Sequence, residues 1–183
     1  MIYEETTFIL KDGRAALLRS PREEDAQELL RFIFKASGET EFLMRYPEEY
    51  AEYTDEKEQA FIRQSVDDPD GVMIACIVDG RIVANCQLLF NSKIKNRHRA
   101  SVAISVLKEY WRLGIGTKLF EEMLRLAGER QGVRQVELEF IEGNSRARSL
   151  YEKMGFRITG LRPDAIRLKD GTFLNEYMMV KRL

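Results

Sequence analysis

The sequence is poor in cysteine, proline and histidine. Its 183 residues include two cysteines, four prolines and one histidine. Cys76 and Cys86 lie in apolar, strand-like segments, and no further Cys or His stands at a metal-ligand spacing. We therefore expect no disulfide framework and no metal site, and we interpret both cysteines as small buried residues.

The sequence also lacks long apolar runs and a strong excess of one charge. No segment approaches the ~20 apolar residues that cross a bilayer, and residues 1–14 lack the basic and apolar stretches of a secretory signal. Lys and Arg number 29 against 30 Asp and Glu, for a net charge of -1. Such a balance gives no general attraction to nucleic acid or to anionic membranes. We expect a cytoplasmic protein with neither as a partner.

The composition that is present fits a globular chain. Apolar residues make up 44% and charged residues 32% of the sequence, enough to build a core without metals or disulfides. No internal repeat, low-complexity tract or linker divides the chain. We therefore predict a single domain over residues 1–183.

Apolar periodicity predicts the order of the elements. The predicted strands cover residues 15–19, 72–78, 82–90, 99–107, 136–140, 156–159 and 173–180. The predicted helices begin at Ser20-Pro21 and end at Gly38, surround 60–66, and span 114–130 and 144–154. Asp79-Gly80 is typical of a hairpin turn, and a loop with Pro163 joins the last two strands. This order predicts an α+β fold, a mixed α/β sandwich around one sheet of about seven mostly antiparallel strands with about four helices.

The most informative segment is VLKEYWRLGIGTK, residues 106–118, where a strand gives way to a helix through Gly114 and Gly116. Glycines let the backbone approach a ligand, and the first turn of a helix offers unpaired N–H groups to phosphate. Alone, the pattern fits a purely structural helix-entry turn equally well. It lacks the Lys-Ser/Thr ending of a P-loop and opens no series of βαβ units, which argues against an NTPase and a dinucleotide-dependent dehydrogenase.

A second segment, residues 144–156, carries Asn144, Ala147, Leu150-Tyr151 and Gly155-Phe156. Together the two segments resemble the GNAT superfamily of acetyltransferases. That family's coenzyme A loop reads Q/R-x-x-G-x-G/A at the start of the same helix, and its later segment reads N-x-x-A-x-x-L-Y-x-x-x-G-F. The resemblance is clear over about 72–160. The sequence departs from it at the Q/R position, which is Trp111; Arg112 is the neighbouring candidate to support the phosphates.

The resemblance implies a GNAT-like acyl-CoA N-acyltransferase fold that moves an acetyl group from acetyl-CoA to an amine by direct attack in a ternary complex, without a metal. Val106 N–H would then polarise the thioester carbonyl. The implied cofactor contacts are Ile104, Ser105 and Val106 for the pantetheine arm, Arg112, Leu113, Gly114, Ile115, Gly116, Thr117 and Lys118 for the pyrophosphate, and Asn144 near the arm.

Tyr151 is the implied general acid, which protonates the departing coenzyme A thiolate. It also reads as a core tyrosine, since Ala147, Leu150 and Met154 share its helix face. Asn144 has a local explanation as a helix N-cap.

The general base is open, because residues 100–106 contain no carboxylate. His98, Glu137, Glu139 and a water chain are the candidates. The position of His98 between two arginines favours an exposed hairpin-end residue over a base, and both glutamates fit solvated strand charges equally well. The cysteines lie far in sequence from both motifs, which disfavours covalent catalysis.

The acceptor is expected to be a small-molecule or peptide amine. In this fold the segment between the first two helices usually walls the acceptor site; here residues 39–55 are rich in acidic and aromatic side chains, which suits a cationic or partly apolar amine and equally describes a solvated acidic surface. A non-catalytic coenzyme A sensor on the same fold, or another nucleotide in the glycine turn, are the alternatives. The terminal strands could pair in a homodimer.

Overall fold

The computed structural model describes residues 1–183, which form eight β-strands and four α-helices. The strands are β1 (Thr6–Ile9), β2 (Ala15–Arg19), β3 (Gly71–Val78), β4 (Arg81–Phe90), β5 (Arg99–Val106), β6 (Gln135–Ile141), β7 (Arg157–Arg167) and β8 (Phe173–Arg182). The helices are α1 (Ala26–Gly38), α2 (Asp55–Asp67), α3 (Ile115–Glu129) and α4 (Ser145–Lys153), with short 3-10 turns at Glu23–Asp25, Pro47–Tyr50 and Lys108–Tyr110.

The strands are hydrogen-bonded in the order β1-β2-β3-β4-β5-β6-β8-β7. The predicted α+β fold is confirmed, with eight strands in place of about seven because β1 carries no clear apolar alternation and was missed. Contacts divide the chain into two compact units, residues 1–89 with 103–119 and residues 90–102 with 120–183. The single domain over 1–183 stays a prediction.

The first unit is built on antiparallel strands. β1 pairs with β2, β2 with β3 and β3 with β4, and the predicted turn between β3 and β4 is confirmed, since Val78 pairs with Arg81 across it. Asp79 and Gly80 both have positive φ, 50° and 75°, as a two-residue hairpin turn requires. The helices α1 and α2 pack against each other, and α2 also packs on β3.

The predicted start of α1 was wrong by about one turn. Ser20 is no helix cap: it is buried, and its Oγ accepts the Tyr3 N–H at 2.9 Å. The helix is entered instead through the 3-10 turn at Glu23–Asp25, where the Asp25 carboxylate accepts the Arg22 N–H at 2.7 Å and pairs with Arg19. A tertiary contact of Ser20 thus replaces the local capping that its sequence position favours.

The second unit contains the parallel pair of the sheet. Residues 99–101 of β5 pair with residues 135–137 of β6 in parallel, and β6 pairs antiparallel with β8, which pairs with β7. Pro163 does not lie in a loop as predicted but within β7, at an irregularity of register beside Asp164, whose φ is 49°. β7 is the last strand of the sheet, and an edge strand tolerates a residue that has no N–H to donate.

Candidate functional site

The end of β5 directs alternate backbone groups to opposite sides. Leu107 N–H donates to the Val83 carbonyl of β4 at 2.9 Å. Because N–H groups alternate along a strand, Ile104 and Val106 direct theirs away from β4, whereas Ser105 directs its own towards β4. Of the three residues predicted to contact the pantetheine arm, Ile104 and Val106 therefore have the backbone orientation that such contacts need.

Trp111, which departs from the family pattern, braces this strand end. Its indole Nε1–H donates to the Val106 carbonyl at 2.8 Å. The residue at the Q/R position is thus committed to the protein's own backbone. Arg112, the predicted replacement, is exposed and has a φ of 66°, so the chain turns sharply immediately after the tryptophan.

The glycine turn leads directly into α3. Gly114 has a φ of 98°, a conformation that favours glycine, and a Cβ built there would meet no atom within 4 Å. The first intrahelical bond is Lys118 N–H to the Gly114 carbonyl, at 3.0 Å, so Ile115, Gly116 and Thr117 have no intrahelical acceptor for their N–H groups. Open space beside successive N–H donors at a helix start fits a pyrophosphate.

The turn is held from the other side by the N-terminal hairpin. Lys11 N–H donates to the Leu113 carbonyl at 3.1 Å, which ties the residue before Gly114 to the loop between β1 and β2. This contact joins residues distant in sequence and could not be read from the motif alone.

Asn144 and Tyr151 lie in the second unit, at the start of α4 and on α4 respectively. Asn144 is the N-cap, with its side-chain oxygen accepting the Ala147 N–H at 3.2 Å. Tyr151 is 8% exposed and packs edge-on against Phe120 and Phe140, with ring centroids 5.4 and 6.0 Å away. Burial raises the pKa of Tyr151 to about 12, so its hydroxyl keeps its proton at neutral pH, as an acid requires. A phenol with this pKa gives up its proton less readily than the phenol assumed from sequence.

The glutamates of β6 face away from Tyr151. Glu137 and Glu139 alternate with Leu138 and Phe140, and Phe140 is the residue that contacts Tyr151. Burial acts to raise the pKa of Glu137, but hydrogen bonds from Arg99 at 2.6 Å and from Gln135 lower it overall. The lowered pKa makes Glu137 a weaker base, and Glu139, His98 and water stay open as candidates.

Sequence reasoning missed a buried carboxylate on β8. Glu176 is 7% exposed, and Arg162 bonds both Glu176 and Glu139. Burial, followed by the nearby charge of Glu139, raises the pKa of Glu176. Its signal in the sequence was a charged residue within a mostly apolar strand segment, FLNEYMMV.

The cysteines are free and buried, as predicted. Burial raises the pKa of the Cys76 thiol to about 12 and that of Cys86 well above its usual value. Neither thiol therefore supplies a thiolate nucleophile at neutral pH.

The acidic segment between α1 and α2 is more structural than its composition indicated. Glu39 accepts the Lys108 N–H at 2.6 Å, and Glu49 accepts the Tyr46 N–H at 2.8 Å. Beside it lies a cavity of about 300 Å³ with a mainly aromatic and aliphatic lining. The lining residues are Leu30, Arg31, Phe34, Tyr50 and Tyr53.

No cluster of three or more His, Cys, Asp or Glu residues is arranged to hold a metal ion. None of the helices has both the length and the apolar character needed to span a membrane.

A helix start with backbone N–H donors follows a strand end whose N–H groups are directed away from β4, an arrangement suited to binding a phosphate and a carbonyl oxygen. The model of the acetyltransferase (GNAT) family matches residues 35–156. The chain therefore belongs to the GNAT family, and the protein is an acetyltransferase. The resemblance recognised in its two motifs is confirmed, and the family's acetyl donor is acetyl-CoA.

Individual relatives and solved structures are consistent with membership of the GNAT family. An N-alpha-acetyltransferase of Sulfurisphaera tokodaii is 32% identical over 151 residues, which cover 80% of this chain and 83% of the relative. A GNAT-family acetyltransferase structure from Streptococcus pneumoniae aligns with a TM-score of 0.84 and 26% identity, covering 92% of this chain and 99% of the other. RimJ of Mycobacterium smegmatis, solved with CoA-disulfide, shares the fold at a TM-score of 0.76 and 15% identity, with 98% and 87% of the two chains covered.

Proposed function

We propose that this protein transfers the acetyl group of acetyl-CoA to the α-amine of a peptide or protein, by direct attack of the amine within a ternary complex. The observation that carries the proposal is the strand end at Ile104 and Val106, whose N–H groups are directed away from β4, next to the open turn at Gly114. The peptide acceptor is favoured by the N-alpha-acetyltransferase that is 32% identical to this chain.

Backbone donors are expected to hold the donor substrate. The N–H groups at the start of α3, from Ile115 to Thr117, would bind the pyrophosphate, while Arg112 and Lys118 add positive charge nearby. Ile104 N–H and Val106 N–H would pair with the pantetheine arm and the thioester. Asn144, as an N-cap with its oxygen already in use, would contribute through its remaining amide N–H.

Val106 N–H is the proposed donor to the acetyl oxygen. The amine nitrogen forms its bond to the acetyl carbon while negative charge develops on that oxygen, and a fixed backbone donor stabilises the charge without reorganisation. Trp111 would support this step, because its bond to the Val106 carbonyl holds the same residue in place.

Tyr151 is the proposed proton donor to the leaving group. The carbon–sulfur bond breaks, and the thiolate receives the phenolic proton. Burial raises the pKa of Tyr151, and a thiolate in a similarly desolvated site would also have a raised pKa, as the buried thiol of Cys76 shows for this protein. The amine loses its own proton to water, to His98 or to Glu139.

Calorimetry and product analysis test the proposal. The protein would be titrated with acetyl-CoA and then assayed for thiol release with a hexapeptide bearing a free α-amine. The same hexapeptide with its α-amine already acetylated is the matched control, and spermidine and a lysine side-chain peptide test other amines. We expect micromolar acetyl-CoA binding and a single acetyl group on the α-amine by mass spectrometry.

Three results would each contradict a different part of the proposal. Absence of acetyl-CoA binding would remove the donor site. Transfer to spermidine or lysine, with none to the α-amine, would leave the acetyltransferase intact and replace the acceptor. Binding without turnover on any amine would instead indicate a coenzyme A sensor.

A further inference from the structure

Two polar residues interrupt the otherwise apolar strand β4. In IVANCQLLF, residues 82–90, these are Asn85 and Gln87. Because they are two residues apart, both side chains lie on the same face of the sheet. Their partners on β3 are Ala75 and Met73, which are buried, whereas Asn85 and Gln87 themselves are half-buried.

Asn85 has an unsatisfied amide oxygen. Its Oδ1 is buried and accepts no hydrogen bond, whereas Gln87 directs its amide at the Met73 sulfur, 3.6 Å away. A buried acceptor without a partner destabilises the folded protein, and an apolar residue of the same shape would avoid that cost. An unsatisfied group of this kind calls for a ligand or another functional explanation.

The register places Asn85 beside the proposed thioester site. Leu107 N–H donates to the Val83 carbonyl, and β4 and β5 form neighbouring strands of a hairpin. In an antiparallel pair the next hydrogen-bonded position lies two residues after Val83 and two residues before Leu107. Asn85 therefore lies opposite Ser105, with both side chains on one face and the Cα atoms ~5.5 Å apart. Ser105 lies between Ile104 and Val106, the residues proposed to hold the acetyl thioester.

Exposure on the Asn85 face is uneven, since Val83 and Ala75 on that face are fully buried. Ala103 is exposed and Ser105 half-buried on the Asn85 side. On the opposite side of β4, Ala84, Cys86 and Leu88 are at most 2% exposed. Asn85 and Ser105 are therefore half-buried neighbours on the less tightly buried face of this strand pair.

We propose that Asn85 binds the acceptor, with its Oδ1 accepting an N–H of the reacting amine. The inference rests on the proposed function and adds a specific residue to it. An amide oxygen accepts a hydrogen bond but does not take up a proton near neutral pH, so it orients the amine and leaves the nitrogen lone pair free to attack. Because χ2 of asparagine is a broad torsion, the oxygen can rotate to meet the amine. Asn85 is thus an acceptor-binding residue and not the base.

The test is Asn85→Leu, which keeps the shape and removes the amide. With the free α-amine hexapeptide as probe, kcat/KM for the peptide should fall about tenfold, the effect of losing one buried hydrogen bond. The Kd for acetyl-CoA should stay within about twofold of wild type. The melting temperature should stay equal or rise, because no bond is lost in the free protein.

Ser37→Ala is the matched control. Ser37 Oγ is also buried without a partner, on α1, so its removal should likewise leave the melting temperature equal or higher, with peptide kinetics unchanged. Asn85→Ala provides a second variant if leucine fails to fold in this position.

Four outcomes would overturn the inference. Unchanged peptide kcat/KM in both Asn85 variants would show that the amide does not contact the acceptor. A weakened acetyl-CoA Kd would assign Asn85 to the donor site, and a lower melting temperature with peptide kinetics falling in parallel would assign it to the core. If the wild-type protein acetylates no peptide, the proposed function itself fails, and the inference fails with it.

Discussion

Tyr151→Phe separates catalysis from packing, because it removes one hydroxyl and keeps the ring. The ring packs against Phe120, Phe140 and Phe156, with centroids 5.4, 6.0 and 6.4 Å away. These contacts persist with phenylalanine. If Tyr151 protonates the leaving thiolate, kcat should fall by about 100-fold or more, the usual range for loss of a general acid. Acetyl-CoA binding should be nearly unchanged.

The same substitution has a calculable effect on stability at high pH. Burial raises the pKa of Tyr151 from 10.0 to about 12 in the folded protein. At about 1.4 kcal/mol for each tenfold change, ionising this phenol in the folded state carries an extra cost of about 3 kcal/mol. Below pH 10 the phenol is neutral in both states. As pH rises towards the folded value, only the unfolded state ionises readily, so the wild-type protein loses stability.

The Tyr151→Phe variant has no phenol to ionise, so it does not lose folding stability in this way at high pH. The difference in unfolding free energy between variant and wild type should therefore grow in favour of the variant from pH 10 to pH 12, as measured by urea unfolding. Tyr177→Phe, whose ring stacks on Phe140 at 5.2 Å, is the matched control and should keep kcat within about twofold of wild type. If Tyr151→Phe shows the high-pH difference but retains wild-type kcat, Tyr151 is a core residue only, and the acid assignment is refuted.

Three further substitutions test the turn, the strand end and a buried charge. Gly114→Ala should lower the unfolding free energy by about 1–2 kcal/mol through backbone strain and should also weaken acetyl-CoA binding. Gly132→Ala is the control: its φ is 87° and its surroundings are equally open, so it should show the strain alone. Equal acetyl-CoA affinities of the two variants by calorimetry would refute the phosphate role of the turn. Trp111→Phe removes the indole hydrogen bond to the Val106 carbonyl, so it should lower the unfolding free energy by about 1 kcal/mol and weaken acetyl-CoA binding. Wild-type values in both urea unfolding and calorimetry would contradict the role of Trp111 in holding Val106. Burial raises the pKa of Glu58, so its stabilising contribution is present below its ordinary pKa of 4.5 and is lost as pH rises. In urea unfolding, Glu58→Gln should therefore be more stable than wild type at pH 7 and closer to wild type at pH 4. A difference in unfolding free energy that does not change with pH would count against burial as the cause.

Local signals predicted much of the fold correctly. The Asp79-Gly80 turn, the end of α1 at Gly38 and the Asn144 cap of α4 all depend on a few neighbouring residues. Such features need no distant partner, so they can be read from short sequence patterns.

Predictions failed where a distant contact outweighed a local preference. Ser20 binds Tyr3 and not the helix start, and Pro163 stays within β7 because that strand is at the edge of the sheet. Strand β1 forms by pairing with β2, although its own residues alternate only weakly between exposed and half-buried positions.

By itself, the sequence determined the family, the order of the later elements and the positions of the glycine turn and of Tyr151, because these depend on residue identity and spacing. Only the tertiary structure decided what each group can do. The bond from Leu107 to Val83 sets which N–H groups leave the strand, and the Trp111 indole holds Val106. The aromatic surroundings bury Tyr151 and raise its pKa. Hydrogen-bond direction and desolvation arise from neighbours far apart in the chain, which spacing alone does not specify.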